Sequence, residues 1–131
     1  MVKRYILKLS ARGGLLTREP FDKARCLRQL QRAVGGPIER APTVMPVEFI
    51  GVDCFINEQG MLHEIKVVNS VLTLLCRLPI HAYIVGDAVF AVRDGMGRTF
   101  GLTEERCAAL EQYLVRLGAI KAEDFGKIKE D

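Results

Sequence analysis

The sequence predicts an α+β domain, in which a mainly antiparallel sheet built from two hairpins and an N-terminal strand carries two main helices and one short helix. Two observations favour the sheet. Residues 47–56 and 83–92 are rich in apolar side chains, and each segment leads into a glycine-containing turn. A third observation favours the helices, because apolar residues recur at helical spacing in residues 24–34 and 107–117.

The first third of the chain predicts a strand, a loop and a helix. Residues 3–10 alternate between two faces, as a half-buried strand does. The glycines at residues 13–14 predict a turn, and residues 17–20 are expected to continue as irregular chain. We predict that Asp22 is the N-cap of an amphipathic helix, which ends at Gly35 because glycine readily adopts the left-handed conformation of a C-cap.

The middle of the chain predicts a hairpin followed by a short helix. Residues 47–56 carry apolar side chains on both faces, which indicates a central strand covered on both sides. The Asn-Glu-Gln-Gly sequence at residues 57–60 predicts a tight turn, with residues 61–67 as the returning strand. Asn69 or the serine after it is expected to cap a helix over residues 71–78.

The last third predicts a second hairpin and the longest helix. Residues 83–92 form the expected strand, residues 94–97 the turn, and residues 98–100 the return. Thr103 is expected to cap the closing helix, with two glutamates in its first turn. The predicted apolar stripe of this helix consists of Cys107, Leu110, Leu114 and Leu117.

Length and composition indicate one globular domain. The chain has 131 residues, of which 49% are hydrophobic and 27% charged, so it can bury a core without disulfides or metals. The net charge of +3 is a mild basic bias and not the mark of a dedicated nucleic-acid binder. Because the sequence turns polar after Ile120, we expect a single domain over residues 1–120 and a flexible tail over residues 121–131.

The four cysteines predict a reducing compartment. They are widely spaced and lie in apolar or amphipathic segments, which is typical of free thiols used as small apolar side chains. The N-terminus shows no signal-peptide core, and no apolar run approaches the roughly 20 residues of a membrane span. We therefore expect a cytoplasmic protein without membrane contact. The cysteines are Cys26, Cys54, Cys76 and Cys107.

Five pieces of the stretch from Leu30 to Glu105 carry a family resemblance. In order they are LQRAVGGPIE, INEQGML, Asn69, YIVGDAVFAV and GLTEE. Their order and spacing resemble an uncharacterised family of small proteins carried by phages and conjugative elements of bacteria. The resemblance implies a mobile-element accessory protein in the bacterial cytoplasm, and it implies no known catalytic residues because the family has no assigned reaction.

Asp87 stands out because it interrupts an apolar strand directly after Gly86. One interpretation is a ligand site that Asp87 shares with Asn69 and with Asp53 on the neighbouring strand. The alternative is structural: the glycine relieves a bend and the carboxylate caps a backbone donor. We favour the structural interpretation, because turn-type use of Gly and Asp is the commoner case.

No motif predicts a cofactor or a metal ion. The only histidines are His63 and His81, and neither belongs to a histidine–cysteine cluster of the kind that binds zinc. The glycine pairs lack the spacing of phosphate-binding loops, and the second pair follows a helix instead of opening one. Arg12, beside the first pair, could contact an anion, although a solvated loop is the commoner outcome.

Three functions remain open from the sequence. The first is a non-enzymatic binding protein that acts on a protein partner or a small, nucleotide-like ligand, with homo-oligomers as an additional possibility. The second is a nucleic-acid-associated factor that uses the basic face of the first predicted helix. The third is a small hydrolase or transferase that uses Asp53 and Asp87. The basic face consists of Lys23, Arg25, Arg28 and Arg32.

Overall fold

A computed structural model describes residues 3–79 and 81–124 of the chain, and this part has the predicted α+β architecture. Its three α-helices are α1 (Cys26–Val34), α2 (Ser70–Leu75) and α3 (Glu104–Arg116). Its eight strands are β1 (Arg4–Leu9), β2 (Leu15–Pro20), β3 (Ile38–Arg40), β4 (Val52–Asn57), β5 (Ala88–Arg93), β6 (Thr99–Phe100), β7 (Leu102–Thr103) and β8 (Ile120–Lys121).

The strands form one sheet in the order β3-β4-β5-β1-β2-β8. In addition, β6 pairs with the end of β5, and β7 pairs with the start of β1. Pairing is antiparallel throughout, except that β8 runs parallel to β2. The mainly antiparallel sheet that the sequence predicts is therefore confirmed. Within the described residues, no helix is long and apolar enough to cross a bilayer.

Both faces of the sheet are covered by helices. On one face, which we call the α1 face, Ile6, Phe55 and Val89 pack with residues of α1. On the other face, Leu7, Leu9, Cys54 and Phe90 pack in the larger core with residues of α2 and α3. All six residues of β4 are buried, which confirms the prediction that this strand is covered on both sides. The packed helix residues are Leu30, Ala33 and Val34 of α1, Leu72 and Leu75 of α2, and Leu110 and Leu114 of α3.

The helix caps follow the sequence prediction at three of four places. The hydroxyl of Thr103 accepts a hydrogen bond from Arg106 N, and the side-chain oxygen of Asn69 accepts one from Leu72 N. Gly35 ends α1 with a φ of 81°. The prediction that Asp22 is the N-cap of α1 is wrong, because its carboxylate accepts from Arg25 N within a turn that precedes the helix.

Residues 15–20 are a strand, so the prediction of irregular chain at residues 17–20 is wrong. Positive φ values of 72° and 63° at Gly13 and Gly14 allow the chain to reverse tightly, and Ser10 N donates to Leu15 O across the turn. The result is a β1–β2 hairpin, in which Tyr5 pairs with Pro20. Glu111 of α3 binds β2 of this hairpin through a two-pronged ion pair with Arg18, at 3.0 and 2.6 Å.

The predicted hairpin at residues 47–67 is also wrong in part. The strand begins only at Val52, since residues 47–49 form a 3₁₀ turn and Gly51 has a φ of 86°. Residues 60–62 form another 3₁₀ turn, and no strand forms over residues 61–67. The physical reason is that β3 and β5 already pair with the two edges of β4, so a returning strand has no edge to join.

The remaining boundaries differ in smaller ways. The third main strand starts at Ala88 and not at residue 83, because Gly86 has a φ of 86°. The short helix ends at Leu75, before Arg77 adopts a φ of 48°. At the C-terminus, β8 joins the sheet edge and residues 122–124 form a 3₁₀ turn. The rest of the predicted tail, residues 125–131, lies outside the described residues.

Candidate ligand-binding cleft

A cleft of about 450 Å³ opens at one end of the sheet, and we call it the sheet-end cleft. The ends of β1 and β4 meet the starts of β2 and β5 there, beside the last turn of α1. This volume lies within the roughly 300–1,000 Å³ typical of small-molecule sites. The apolar lining residues are Ala11, Leu15, Val34, Ile65, Val67 and Val85, and the polar ones are Ser10, Arg12, Asn57, His63, Lys66 and Asp87.

The residue pairing of the central strands explains why distant parts of the sequence meet at this cleft. Ile56 of β4 lies opposite Ala88 of β5, so the next residue of β4 and the residue before β5, Asn57 and Asp87, emerge at the same end. The opposite wall is the segment of residues 60–67, which is tied to the sheet by a 2.8 Å hydrogen bond from Gly86 N to Val67 O.

Asp87 lines the cleft and also organises its backbone. One carboxylate oxygen accepts a hydrogen bond from Ala11 N at 2.9 Å, and the other lies 3.5 Å from Lys8 Nζ. Gly86 turns the chain just before it, with the positive φ that glycine adopts at little cost. Both parts of the structural interpretation are therefore present: a bend at the glycine and a capped backbone donor.

Asn69 lies behind the cleft and not in its lining. Its residue exposure is only 1%, and its amide nitrogen donates to Leu9 O at 3.3 Å and to Gly86 O at 3.0 Å. Its amide oxygen accepts from Leu72 N, at the start of α2. Asn69 thus connects β1, the chain before β5 and α2, and its polar atoms are already engaged within the protein.

Asp53 is remote from the cleft. It pairs with Ala91, four residues along the strand from Asp87, which corresponds to about 13 Å at the usual strand rise. Its buried carboxylate oxygen lies 3.1 Å from Arg93 Nε and 3.8 Å from Arg40 Nη2, yet it has no aligned hydrogen-bond partner. The structure therefore does not bring the three predicted ligand residues together, and Asp87 is the one that lines the cleft.

The charge of the cleft is predominantly positive. Arg12 and Lys66 are exposed cationic side chains along its walls, and His63 is an exposed imidazole beside them; Asp87 is the carboxylate among the described lining residues, and it already pairs with Lys8. Of these basic residues, only Arg12 is marked by the sequence, through its place beside a glycine pair. The other two lie in the wrongly predicted strand at residues 61–67, where no sequence signal indicates a shared site.

The basic face predicted on the first helix is exposed at all four positions. Lys23 and Arg25 lie in the turn before α1, and Arg28 and Arg32 lie on the helix itself. Arg32 also lines a second depression of about 510 Å³, which we call the α1 groove, together with Lys8, Glu19 and other residues. The four basic residues therefore do not share one surface feature: Arg32 lines the α1 groove, whereas Arg28 lies outside it.

The cysteines are poor nucleophiles in this setting. Burial raises the pKa of the Cys76 and Cys107 thiols to about 11, and it raises the pKa of the fully buried Cys54 thiol well above its usual value. These thiols stay protonated at neutral pH, as expected for cysteines used as small apolar side chains. Within residues 3–79 and 81–124, no cluster of three or more His, Cys, Asp or Glu side chains could hold a metal ion.

Comparison with known proteins identifies the family but no activity. Residues 12–117 match the family model described as "Domain of unknown function (DUF3846)", and this match covers most of the chain. No curated protein and no solved structure matches. The chain belongs to the DUF3846 family.

Proposed function

We propose that this member of the DUF3846 family is a non-enzymatic binding protein of a phage or conjugative element, which acts in the bacterial cytoplasm and holds a small, anionic, nucleotide-like ligand. The observation that carries the proposal is the sheet-end cleft with its excess of basic side chains. The link to mobile elements rests on the resemblance carried by the five motifs between Leu30 and Glu105.

The lining of the cleft supports an anion that also has an apolar part. Arg12 and Lys66 offer several N–H donors to phosphate or carboxylate oxygens, and such charge-assisted hydrogen bonds are among the strongest in proteins. Ile65, Val67 and Val85 offer an apolar wall next to them. Small-molecule sites commonly combine an apolar lining with a few well-placed polar groups in this way.

Two features of the carboxylates favour binding over catalysis. Asp87 already accepts a backbone hydrogen bond and pairs with Lys8, which is the setting of a structural carboxylate. Asp53 is about 13 Å further along the sheet, whereas paired catalytic carboxylates in glycosidases stand roughly 5–10 Å apart. The hydrolase hypothesis therefore has less support than the binding hypothesis.

The test is calorimetric titration of the protein with a nucleoside monophosphate. We expect the double variant Arg12→Ala with Lys66→Ala to bind at least about tenfold more weakly, because each charged hydrogen bond contributes about 1.5–3 kcal/mol. The matched control, Arg25→Ala with Arg28→Ala, removes two exposed positive charges outside the cleft and should leave the affinity unchanged. Equal affinities for the wild type and the cleft variant would refute the proposal.

The same variants test the nucleic-acid alternative, which the exposure of Lys23, Arg25, Arg28 and Arg32 supports. That hypothesis predicts binding to a nucleic acid that weakens steeply with salt and is lost in the Arg25–Arg28 variant. A gel-shift titration at low salt separates the two cases. Absence of any shift at low salt would remove the nucleic-acid hypothesis.

A protein partner is a further candidate, because four apolar side chains in or next to the segment that walls the cleft are exposed. Their exposures range from 43% at Val68 to 80% at Leu62, and clustered exposed apolar residues commonly mark interaction surfaces. Native mass spectrometry of protein purified from cells that carry the element would detect a partner or a homo-oligomer. Recovery of the bare monomer would count against this candidate. The four residues are Met61, Leu62, Ile65 and Val68.

A further inference from the structure

The sheet-end cleft and the α1 groove adjoin each other on the α1 face. Lys8 lines the groove and Asp87 lines the cleft, and their charged atoms lie 3.5 Å apart. On the helix side, Ala33 lines the groove and the next residue, Val34, lines the cleft. The two depressions are therefore neighbours along both of their walls. The Lys8–Asp87 ion pair connects them on the sheet side, and the last turn of α1 connects them on the helix side.

We propose that the cleft and the groove form one continuous site, and that its ligand is a phosphodiester compound of about two nucleotides. This inference rests on the proposed function and adds the size and chemical class of the ligand. Each depression, of about 450 and 510 Å³, has the volume of a small-molecule site. A ligand confined to one of them would leave the other empty.

The distribution of charge fits a ligand with more than one anionic group. Arg12 and Lys66 stand at the cleft end, and Arg32 stands in the groove. Lys8 lies at the boundary between them, with about a quarter of its side chain exposed (28%). Arginine and lysine at separated positions along one channel can each contact a different phosphate, as basic side chains do along a nucleotide backbone.

The acidic residues of the groove fit the rest of a nucleotide. Glu19 and Asp22 line the groove beside Arg32, and carboxylates recognise ribose by accepting hydrogen bonds from its hydroxyl groups. The buried amide of Gln29 fixes this segment of the chain: it donates to Pro20 O at 2.8 Å and to the Glu19 carboxylate at 3.4 Å, and it accepts from the backbone N of Asp22 at 2.9 Å. We therefore expect ribonucleotides to bind more tightly than deoxyribonucleotides.

The experiment compares three probes by calorimetry: AMP, the 5′-phosphorylated dinucleotide pApA, and a ten-nucleotide single-stranded oligoadenylate. We expect pApA to bind at least about tenfold more tightly than AMP, since it adds a second phosphate contact. Arg32→Ala should abolish this advantage and leave the affinity for AMP within about twofold. Arg28→Ala is the matched control, one helical turn away and outside the groove, and should change neither affinity.

Each other outcome overturns the inference in a distinguishable way. If AMP and pApA bind equally and both depend on Arg12 and Lys66, the proposed function stands and the continuous site does not. If neither binds, both are refuted. The ten-nucleotide probe could also bind far more tightly than pApA, with Arg28→Ala weakening its binding as much as Arg32→Ala does. In that case the basic face binds nucleic acid, and the two-nucleotide site is refuted. Because Arg32 is exposed, its replacement should not impair folding.

Discussion

Replacing Asn69 by alanine is the sharpest test of how the cleft is built. The amide connects three parts of the chain that are distant in sequence: Leu9 at the end of β1, Gly86 before β5 and Leu72 in α2. It is 1% exposed, so water cannot replace the lost hydrogen bonds without structural rearrangement. We expect Asn69→Ala to destabilise the fold, although Asn69 does not line the cleft.

The magnitude follows from the three hydrogen bonds. Loss of an N-cap side chain costs about 1 kcal/mol. Each of the two bonds to buried carbonyls adds about 1 kcal/mol, and more where the carbonyl is left without a partner. The sum is about 3 kcal/mol, which corresponds to a fall in melting temperature of about 11 °C for a chain of this length.

Urea denaturation followed by circular dichroism measures the change in the free energy of unfolding. Two further variants make the assignment specific. Asn69→Ser keeps a capping oxygen but no amide donors, so it should recover about 1 kcal/mol relative to alanine. Ser70→Ala alters the exposed first residue of α2 and should change stability by less than about 0.5 kcal/mol. A loss below about 1 kcal/mol for Asn69→Ala would refute the reasoning.

Three further predictions concern the ion pair, the bend and the thiols. Glu111→Ala should lower the free energy of unfolding by about 2 kcal/mol in urea denaturation, because it removes the buried partner of Arg18, whose side chain is only 29% exposed; no loss would contradict this role. Gly86→Ala should cost about 1–2 kcal/mol because of its positive φ, whereas Gly95→Ala, in open space, should be neutral; equal effects would contradict the strain argument. Ellman's reagent should label the partly exposed Cys26 first, and Cys107 only near its raised pKa of about 11 or on unfolding; loss of the fast phase in Cys26→Ser checks this assignment.

Local signals in the sequence were sufficient for the fold class and for three of the helix ends. Thr103, Asn69 and Gly35 act as caps through hydrogen bonds or backbone angles that involve only residues a few positions away. The apolar side chains on both faces of residues 47–56 likewise predict a strand covered on both sides, and β4 is buried along its whole length. Such features depend on contacts between residues that are close in the sequence, so the local sequence pattern is enough to predict them.

Strand pairing was not readable in this way. Residues 61–67 follow a turn-like Asn-Glu-Gln-Gly sequence, yet they form no strand because β3 and β5 occupy both edges of β4. Residues 15–20 show little alternation, yet they pair with β1 across the bend at residues 13–14. Segments that are far apart in the chain compete to pair with each strand edge. The pattern of one segment alone therefore does not predict which of them pairs there.

The sequence by itself determined the chemistry available to this protein: buried thiols, capped helices, an apolar sheet and the carboxylate of Asp87 directly after Gly86. Only the tertiary structure decided which of those groups meet. It separates Asp53 from Asp87 by four residues of strand, encloses Asn69 in hydrogen bonds, and brings Arg12 and Lys66 to one cleft. The physical reason is the pairing of β5 with both β4 and β1, since these registers select which loop residues emerge together at the end of the sheet.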